Sequence, residues 1–404
     1  MKKSSSGYFD LTDTLSGATD IGMFLRPSLG SGVLCALLSV SCGSSAGPSK
    51  VTESDVVRQY AVNLKANYQD VVTKLVDLQA VVDAFVAAPS AAGFEAARAA
   101  WLAARPIYGQ CEVSRFYVGP LDEAQGRMNE WPIDENFLDY TYDIPDGGIV
   151  NQPDAYPVID VSLLQSTDHM GGLENLPAGF HAIEFLLWGQ RPSQEDGPGT
   201  RPYTDYVDGG TAANQDRRRD YLKAATDLLL SDMQGLVAAW DLSNPQSYGA
   251  MMVAGSPHDG VQNIVRGLTD LHISELYYER LLDPYVTMDR KDEESCFSES
   301  TYTDLVANDN GVMDTYHGRY GSHAGASVAD LVTAIDPALE AQLDQQIQAT
   351  VAGIAAIPQP FDHTVISAPH SDDHQKLDAA VQTFWPMQDL YQQMASELGI
   401  VINL

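Results

Sequence analysis

Basic residues are scarce in this 404-residue chain: 23 Lys and Arg stand against 55 Asp and Glu, a formal charge of −32. Such a surface repels phosphate backbones, so nucleic acid is not an expected partner, whereas cations, metal ions among them, are attracted. The acidity also serves solubility, the property on which net charge mainly acts. Cysteine is nearly absent, with four in the chain. Two fall within the first 42 residues, which leaves Cys111 and Cys296 for the body of the protein. A disulfide between them is allowed in an oxidising compartment, and two buried free thiols are the alternative. No run is apolar for long enough to be a permanent membrane span. Sustained period-two alternation is missing as well, which argues against a fold built on sheets.

Near the start, "MFLRPSLGSGVLCALLSVSCGSSAGPSK" (Met23 to Lys50) has the layout of an export signal. Arg26 supplies the positive charge, Val33 to Val40 a short apolar region, and small residues precede Cys42. The layout resembles a bacterial lipobox with Cys42 as the lipidated first residue of the mature chain. Ser39 departs from it by standing where leucine is preferred. Residues 1–22 are polar and acidic, unlike the head of a signal, so translation is expected to begin at Met23. The membrane is then met only through the lipid at Cys42, and residues 1–50 are leader and linker.

What the chain has in quantity is helical periodicity. Val57, Ala61, Leu64, Tyr68, Val71, Leu75, Leu78, Val82 and Phe85 recur at steps of four and three, one apolar stripe along a long helix. Thr52 is placed to cap it, Pro89-Ser90 to stop it and cap the next, and Pro106 to kink or end that second helix. Further helices are predicted near Ser162, after Pro177, from Leu222 to Trp240, and over 261–282, 326–352 and 374–400. From Leu121 to Val161 the pattern fails among Pro, Gly, Asp and Asn, as in a long loop that shapes a site. The Gly/Pro-rich stretch 189–215 is a natural divide. The expected architecture is all-α: two four-helix-like bundles, 51–200 and 201–404, joined by this loop.

One short helix departs from simple core patterning. "GFHAIEFLLWG" (Gly179 to Gly189) sets His181 and Glu184 into an otherwise apolar run. At i and i+3 the two side chains share a face, the geometry by which helical bundles offer an imidazole and a carboxylate to one metal ion. Such a pair suits Fe, Zn or Mn alike; a self-satisfied buried pair is the plainer alternative. Gly179 lets another backbone approach closely.

Peptidase chemistry finds little support. H-E-x-x-H is absent, H-x-x-E-H would need histidine where Phe185 stands, and no G-x-S-x-G occurs. Cys111 has a neighbouring Glu112 but no adjacent histidine.

The longer string "LPAGFHAIEFLLWGQ" resembles the G-x-H-x-x-E signature of the imelysin family. Three further segments resemble its iron-regulated protein A branch: "AARAAWLAARPIYGQCEVSRFY", "NEWPIDENFLDY" and "DEESCFSEST". The resemblance runs from about Thr52 to the C-terminus. It implies an all-α protein of two helical bundles packed with a cleft between them, and a bacterial envelope protein, often a lipoprotein, facing the periplasm or outer surface and linked to iron uptake or regulation. Carried onto this chain, it places a metal or ligand site at Gly179, His181 and Glu184, with Glu112, Arg115, Asp134 and Glu135 as neighbours. The expected cargo is a transition metal, iron or alternatively zinc, or an iron chelate, and iron-transport proteins are the partners implied. A metal-dependent peptidase and a ligand-free structural protein are the competing functions.

Other tracts carry weaker expectations. His317, Arg319 and His323 lie in a glycine-rich stretch read as solvated loop. His363, His370 and His374, with Asp372 and Asp373, form a tract able to hold a metal loosely or to cap the last helix. Glu275 and Glu279 follow His272 on one helix, and "DRRRDY" (Asp216 to Tyr221) reads as an ion-pair surface closed by its own aspartates.

Overall fold

A computed structural model describes residues 50–191, 197–368 and 370–402. The expected export leader and lipidation at Cys42 fall outside the described residues. Lys50–Leu404 is one compact unit.

The helix α1 (Glu53–Ala87) begins where Thr52 and Asp55 close a reciprocal capping box, and its predicted stripe is buried throughout. Ser90 caps α2 (Ala91–Cys111). This helix runs through Pro106 and is not ended by it. Trp101, Ala104, Tyr108 and Cys111, on both sides of the proline, are fully buried. Their packing outweighs the roughly 3 kcal/mol of an interior proline. The patternless segment then holds α3 (Pro120–Met128) and the single turn α4 (Glu135–Leu138), and the helix predicted near Ser162 is α5 (Val161–Thr167). All nine residues of α6 (Phe180–Trp188) are buried, as expected of a helix apolar nearly all round. Gly189 ends it at φ 73° and ψ −176°, a positive φ with an extended rather than left-handed helical ψ.

After the central loop, α7 (Gln215–Ala239) packs on both α1 and α6. Next come α8 (Tyr248–Ala254) and α9 (Pro257–Thr269). The predicted continuation over 270–282 is a π-helix, Asp270–Leu282, followed by α10 (Asp283–Thr287). Its wider turn brings residues five apart together, so Arg280 reaches Glu275 at 3.2 Å. The periodicity reading missed α11 (Thr301–Tyr316), because Asp304, Asn308 and Asp309 occupy its buried face. A small hairpin pairs Arg319 with Ala324 and Tyr320 with His323. The chain finishes with α12 (Val328–Ile335), α13 (Pro337–Ala355), α14 (Phe361–Val365), α15 (Asp372–Thr383) and α16 (Met387–Leu398). Two helices predicted as continuous are each divided at a proline: Pro337 is the first residue of α13, and Pro386 is the N-cap of α16.

Buried apolar side chains form a large cluster drawn from α1, α2, α6, α7, α9 and α16, and a smaller one around Leu276, Leu305, Phe361, Leu377 and Phe384. The helix α2 packs on α1 along one side and on α11 along the other. Among the described residues no helix is long and apolar enough to cross a membrane. Cys111 and Cys296 are buried free thiols.

The "DRRRDY" cluster is not a self-contained surface. Arg218 is fully buried and grips Asp139 through Nε and Nη2, at 2.6 and 2.9 Å. Arg201 reaches the same carboxylate at 2.5 Å. Arg217 donates to the carbonyls of Val150 and Ile149. The segment 139–151 is thereby fastened to α7, and the counter-charge is distant in sequence rather than adjacent.

Candidate metal centre

The site is built where α6 meets α2. Gly179 precedes the first turn of α6 at φ +91°. A Cβ there would lie 2.5 Å from the Arg127 carbonyl oxygen and 2.6 Å from that of Met128. The close backbone approach expected of this glycine is therefore present, and the Trp101 indole secures the same turn by donating to the Phe180 carbonyl at 3.0 Å. Gly179→Ala is expected to cost about 1–3 kcal/mol from backbone strain alone, with the clash adding to it. Chemical denaturation checks this; an unchanged midpoint would contradict the tight fit.

One turn on, His181 Nδ1 lies 2.9 Å from Glu184 Oε2. The other oxygen of Glu184 accepts from the backbone N–H and hydroxyl of Ser298, at 2.8 and 2.7 Å. Both carboxylate oxygens are thus occupied in fixing the ring, the arrangement in which a carboxylate orients a histidine for a ligand on its other nitrogen. That other nitrogen, Nε2, is buried without a hydrogen-bond partner and lies 3.8 Å from Glu294 Oε1. The Trp131 ring covers the imidazole, with centroids 4.9 Å apart.

Behind the pair is a buried charge network. Arg105 donates to Glu294 at 2.8 Å and to Asn129, and its Nε lies 3.1 Å from Asp304. Arg280, from the π-helix, holds Glu112 through two hydrogen bonds of 2.9 and 3.0 Å and lies 3.1 Å from Glu294. Asn308 on α11 donates to Glu112, and Asn129 donates to both Glu112 and Glu294. At the rim Arg115 pairs with Glu275 at 2.6 Å. Arg115, Asn129, Trp131, Glu275, Arg280 and Glu294 line a cleft of about 520 Å³.

The titration of the network follows from this geometry. Burial opposes charge on His181, yet the hydrogen bond to Glu184 and the nearby Glu294 carboxylate outweigh it and raise its pKa. Burial works against the Glu294 carboxylate too, but Arg280 and Arg105 hold it well below its usual range. Glu112 is lowered mainly by Arg280 against the same burial. For Asp304 burial prevails and pushes its pKa up to about 6.

The structure therefore brings His181, Glu184 and Glu112 into one network, with Arg115 at its edge. Asp134 and Glu135 are engaged elsewhere: Asp134 caps α4, and Glu135 accepts from Gln190 at 3.3 Å. Residue-type reasoning did not single out Arg280, Asn129, Asp304 or Asn308. Arg280 and Glu294 stand in tracts noted for other reasons, and only a fold that joins 105, 181, 280 and 294 reveals their common purpose. Of the remaining tracts, His272 is buried against Tyr391, Thr350 and Asp309. His317 pairs with Asp344, and Ser371 caps α15 with Asp372 and Asp373 in its first turn.

Comparison with known proteins follows the same residues. A family model described as Imelysin matches 64–385. Iron-regulated protein A of Synechococcus elongatus is 28% identical over 314 residues, covering 74% of each chain. Among solved structures, an iron-regulated protein A precursor from Parabacteroides distasonis aligns with a TM-score of 0.68 at 22% identity, over 88% of this chain and 97% of its own. An imelysin-like protein from Psychrobacter arcticum aligns at 0.57 and 12% identity, over 88% and 98%. With the family's pattern matched across most of its length and the fold shared with two solved relatives, this chain belongs to the imelysin family.

Proposed function

We propose that this is an exported envelope protein that holds a transition metal, iron in the first place, or an iron-bearing ligand beside His181, in iron uptake or regulation. The observation that carries the reading is an imbalance of buried charge. Four carboxylates, Glu112, Glu184, Glu294 and Asp304, face two guanidiniums, Arg105 and Arg280, and all six are at most 6% exposed. The Arg115–Glu275 pair at the rim is self-compensating. Two surplus negative charges at low dielectric are costly, and protons or a divalent cation relieve that cost.

The residues fit such an ion. His181 Nε2 is available as an imidazole ligand and Glu294 as a carboxylate one, with Glu184 as the orienting group and Glu112 balancing Arg280 behind. This donor set suits Fe, Zn or Mn, and the relatives' name favours iron. Export is supported by the leader-like segment before Cys42 and by the precursor name of the Parabacteroides relative. Lipidation at Cys42 and a periplasmic or outer-surface location complete the proposal.

Calorimetric titration of chelator-stripped protein with iron(II), repeated in buffers of different ionisation enthalpy, tests it. The ion must displace a proton from His181, so binding with net proton release is expected. Absence of binding would contradict the reading and leave a helical scaffold. Chelator-sensitive cleavage of unstructured chains would favour a peptidase instead.

A further inference from the structure

The segment 293–299 sends side chains to two places. Glu294 and Ser298 serve the His181 network, whereas Glu293 and Glu299 turn to a second cluster with Asp362 and His363 of α14. Ligand atoms of Glu299, Asp362 and His363 all lie within 4.8 Å of one another. Among the described residues this is the group of three such side chains that meets that spacing.

A cluster of acids alone would not indicate a ligand, but the oxygens here are unpartnered. Glu293 is fully buried with no hydrogen bond to either carboxylate oxygen, and fully buried Asp362 leaves Oδ1 without one. Glu299 Oε1 is likewise buried and without a hydrogen bond. Two guanidiniums stand beside the cluster: Arg191 donates to Asp362 Oδ2 and lies 3.6 Å from Glu299 Oε1, and Arg290 Nε lies 3.4 Å from the same Oδ2. Three carboxylates, Glu293, Glu299 and Asp362, against two guanidiniums leave surplus negative charge, and His363 offers a ring nitrogen within 4.8 Å of ligand oxygens of Glu299 and Asp362.

We propose that Glu299, Asp362 Oδ1 and His363 form a second site for a divalent transition-metal ion, with Glu293 supplying a further carboxylate. One imidazole and two or three carboxylates, part-buried behind an exposed histidine, suit Zn²⁺ or Mn²⁺. The site is distinct from the His181 centre, and the two share the 293–299 segment, so an ion at either fixes the backbone that serves both.

The probe is Zn²⁺ alone, titrated against a colorimetric chelator into the full chain purified without a histidine tag; the competing chelator removes weak surface binding. Two ions per chain are expected for the wild type. His363→Ala and Glu299→Gln are each expected to leave one and to weaken the lost site by at least about tenfold, the lower bound for disturbing even an outer-shell partner. Both positions are partly exposed and Glu299→Gln keeps its shape, so the fold, checked by circular dichroism, should persist. A count of one in the wild type that falls to none in both variants would support this site and contradict the His181 reading. Any count that neither variant lowers, or no binding at all, overturns the proposal.

Discussion

Asp139→Ala is expected to remove about 3–5 kcal/mol of stability, the typical cost of breaking a buried ion pair from one side. The carboxylate sits between Arg201 and Arg218, all three at most 5% exposed, so its loss strands two guanidiniums in the interior. The ring of Tyr140 lies 4.8 Å from one guanidinium and 5.4 Å from the other but carries no counter-charge. Release of the 139–151 segment from α7 should follow, and the midpoint of thermal unfolding should fall by roughly 4–7 °C. Burial resists charge on Asp139, yet Arg201 and Arg218 lower its pKa below the ordinary value. Its contribution is therefore present above the unfolded carboxylate pKa and is lost as pH falls through the lower folded one. Asp208→Ala is the control. The Arg219–Asp208 pair has its aspartate 78% exposed, so the loss should stay within about 1 kcal/mol. Equal losses for the two variants would refute the buried-cluster account.

The second large effect is on binding. His181→Ala removes the one imidazole of the proposed centre and should lower iron(II) affinity by at least about 100-fold, whereas Glu184→Gln, which loosens the ring's orientation and removes one of the buried negative charges, should lower it about 10- to 100-fold. The pH profile separates this from damage to the fold. Because the folded pKa of His181 is raised, its proton stabilises the metal-free protein fully below the unfolded imidazole value, and that stabilisation fades as pH rises through the folded one. Glu294, depressed by Arg280 and Arg105 despite its burial, contributes above the unfolded carboxylate value and is lost as pH falls. The metal-free protein should thus be most stable between about pH 4.5 and 6.5, and iron affinity should rise with pH above that window. Isothermal titration across pH, with thermal unfolding beside it, reads both. A pH-independent affinity that survives in His181→Ala would remove the imidazole from the site.

The helical fold was legible because α1, α2 and α7 bury apolar stripes at helical spacing, a signal local in sequence. The short helix α6 could be placed from Pro177 and its two flanking glycines, and its His181–Glu184 pairing from spacing alone. Charged interiors were not legible. The buried face of α11 presents Asp304, Asn308 and Asp309, which in sequence look like solvent-facing residues. Arg218 next to Asp216 and Asp220 suggested local pairing, but its partner is 79 positions away. The π-helix could not be inferred either: a 3.6-residue period places Glu279 over Glu275, whereas the wider turn places Arg280 there. Where polar groups rather than apolar ones fill the interior, composition tells little and only the tertiary partner does.

The central claim is that a metal ion sits between His181 Nε2 and Glu294. Crystals of the protein soaked in iron, measured on both sides of the iron absorption edge, test it most directly. The account predicts an anomalous peak within coordination distance of His181 Nε2, and its disappearance in His181→Ala. A fully soaked crystal with no peak beside that nitrogen, its imidazole still held between Glu184 and Glu294, would contradict it.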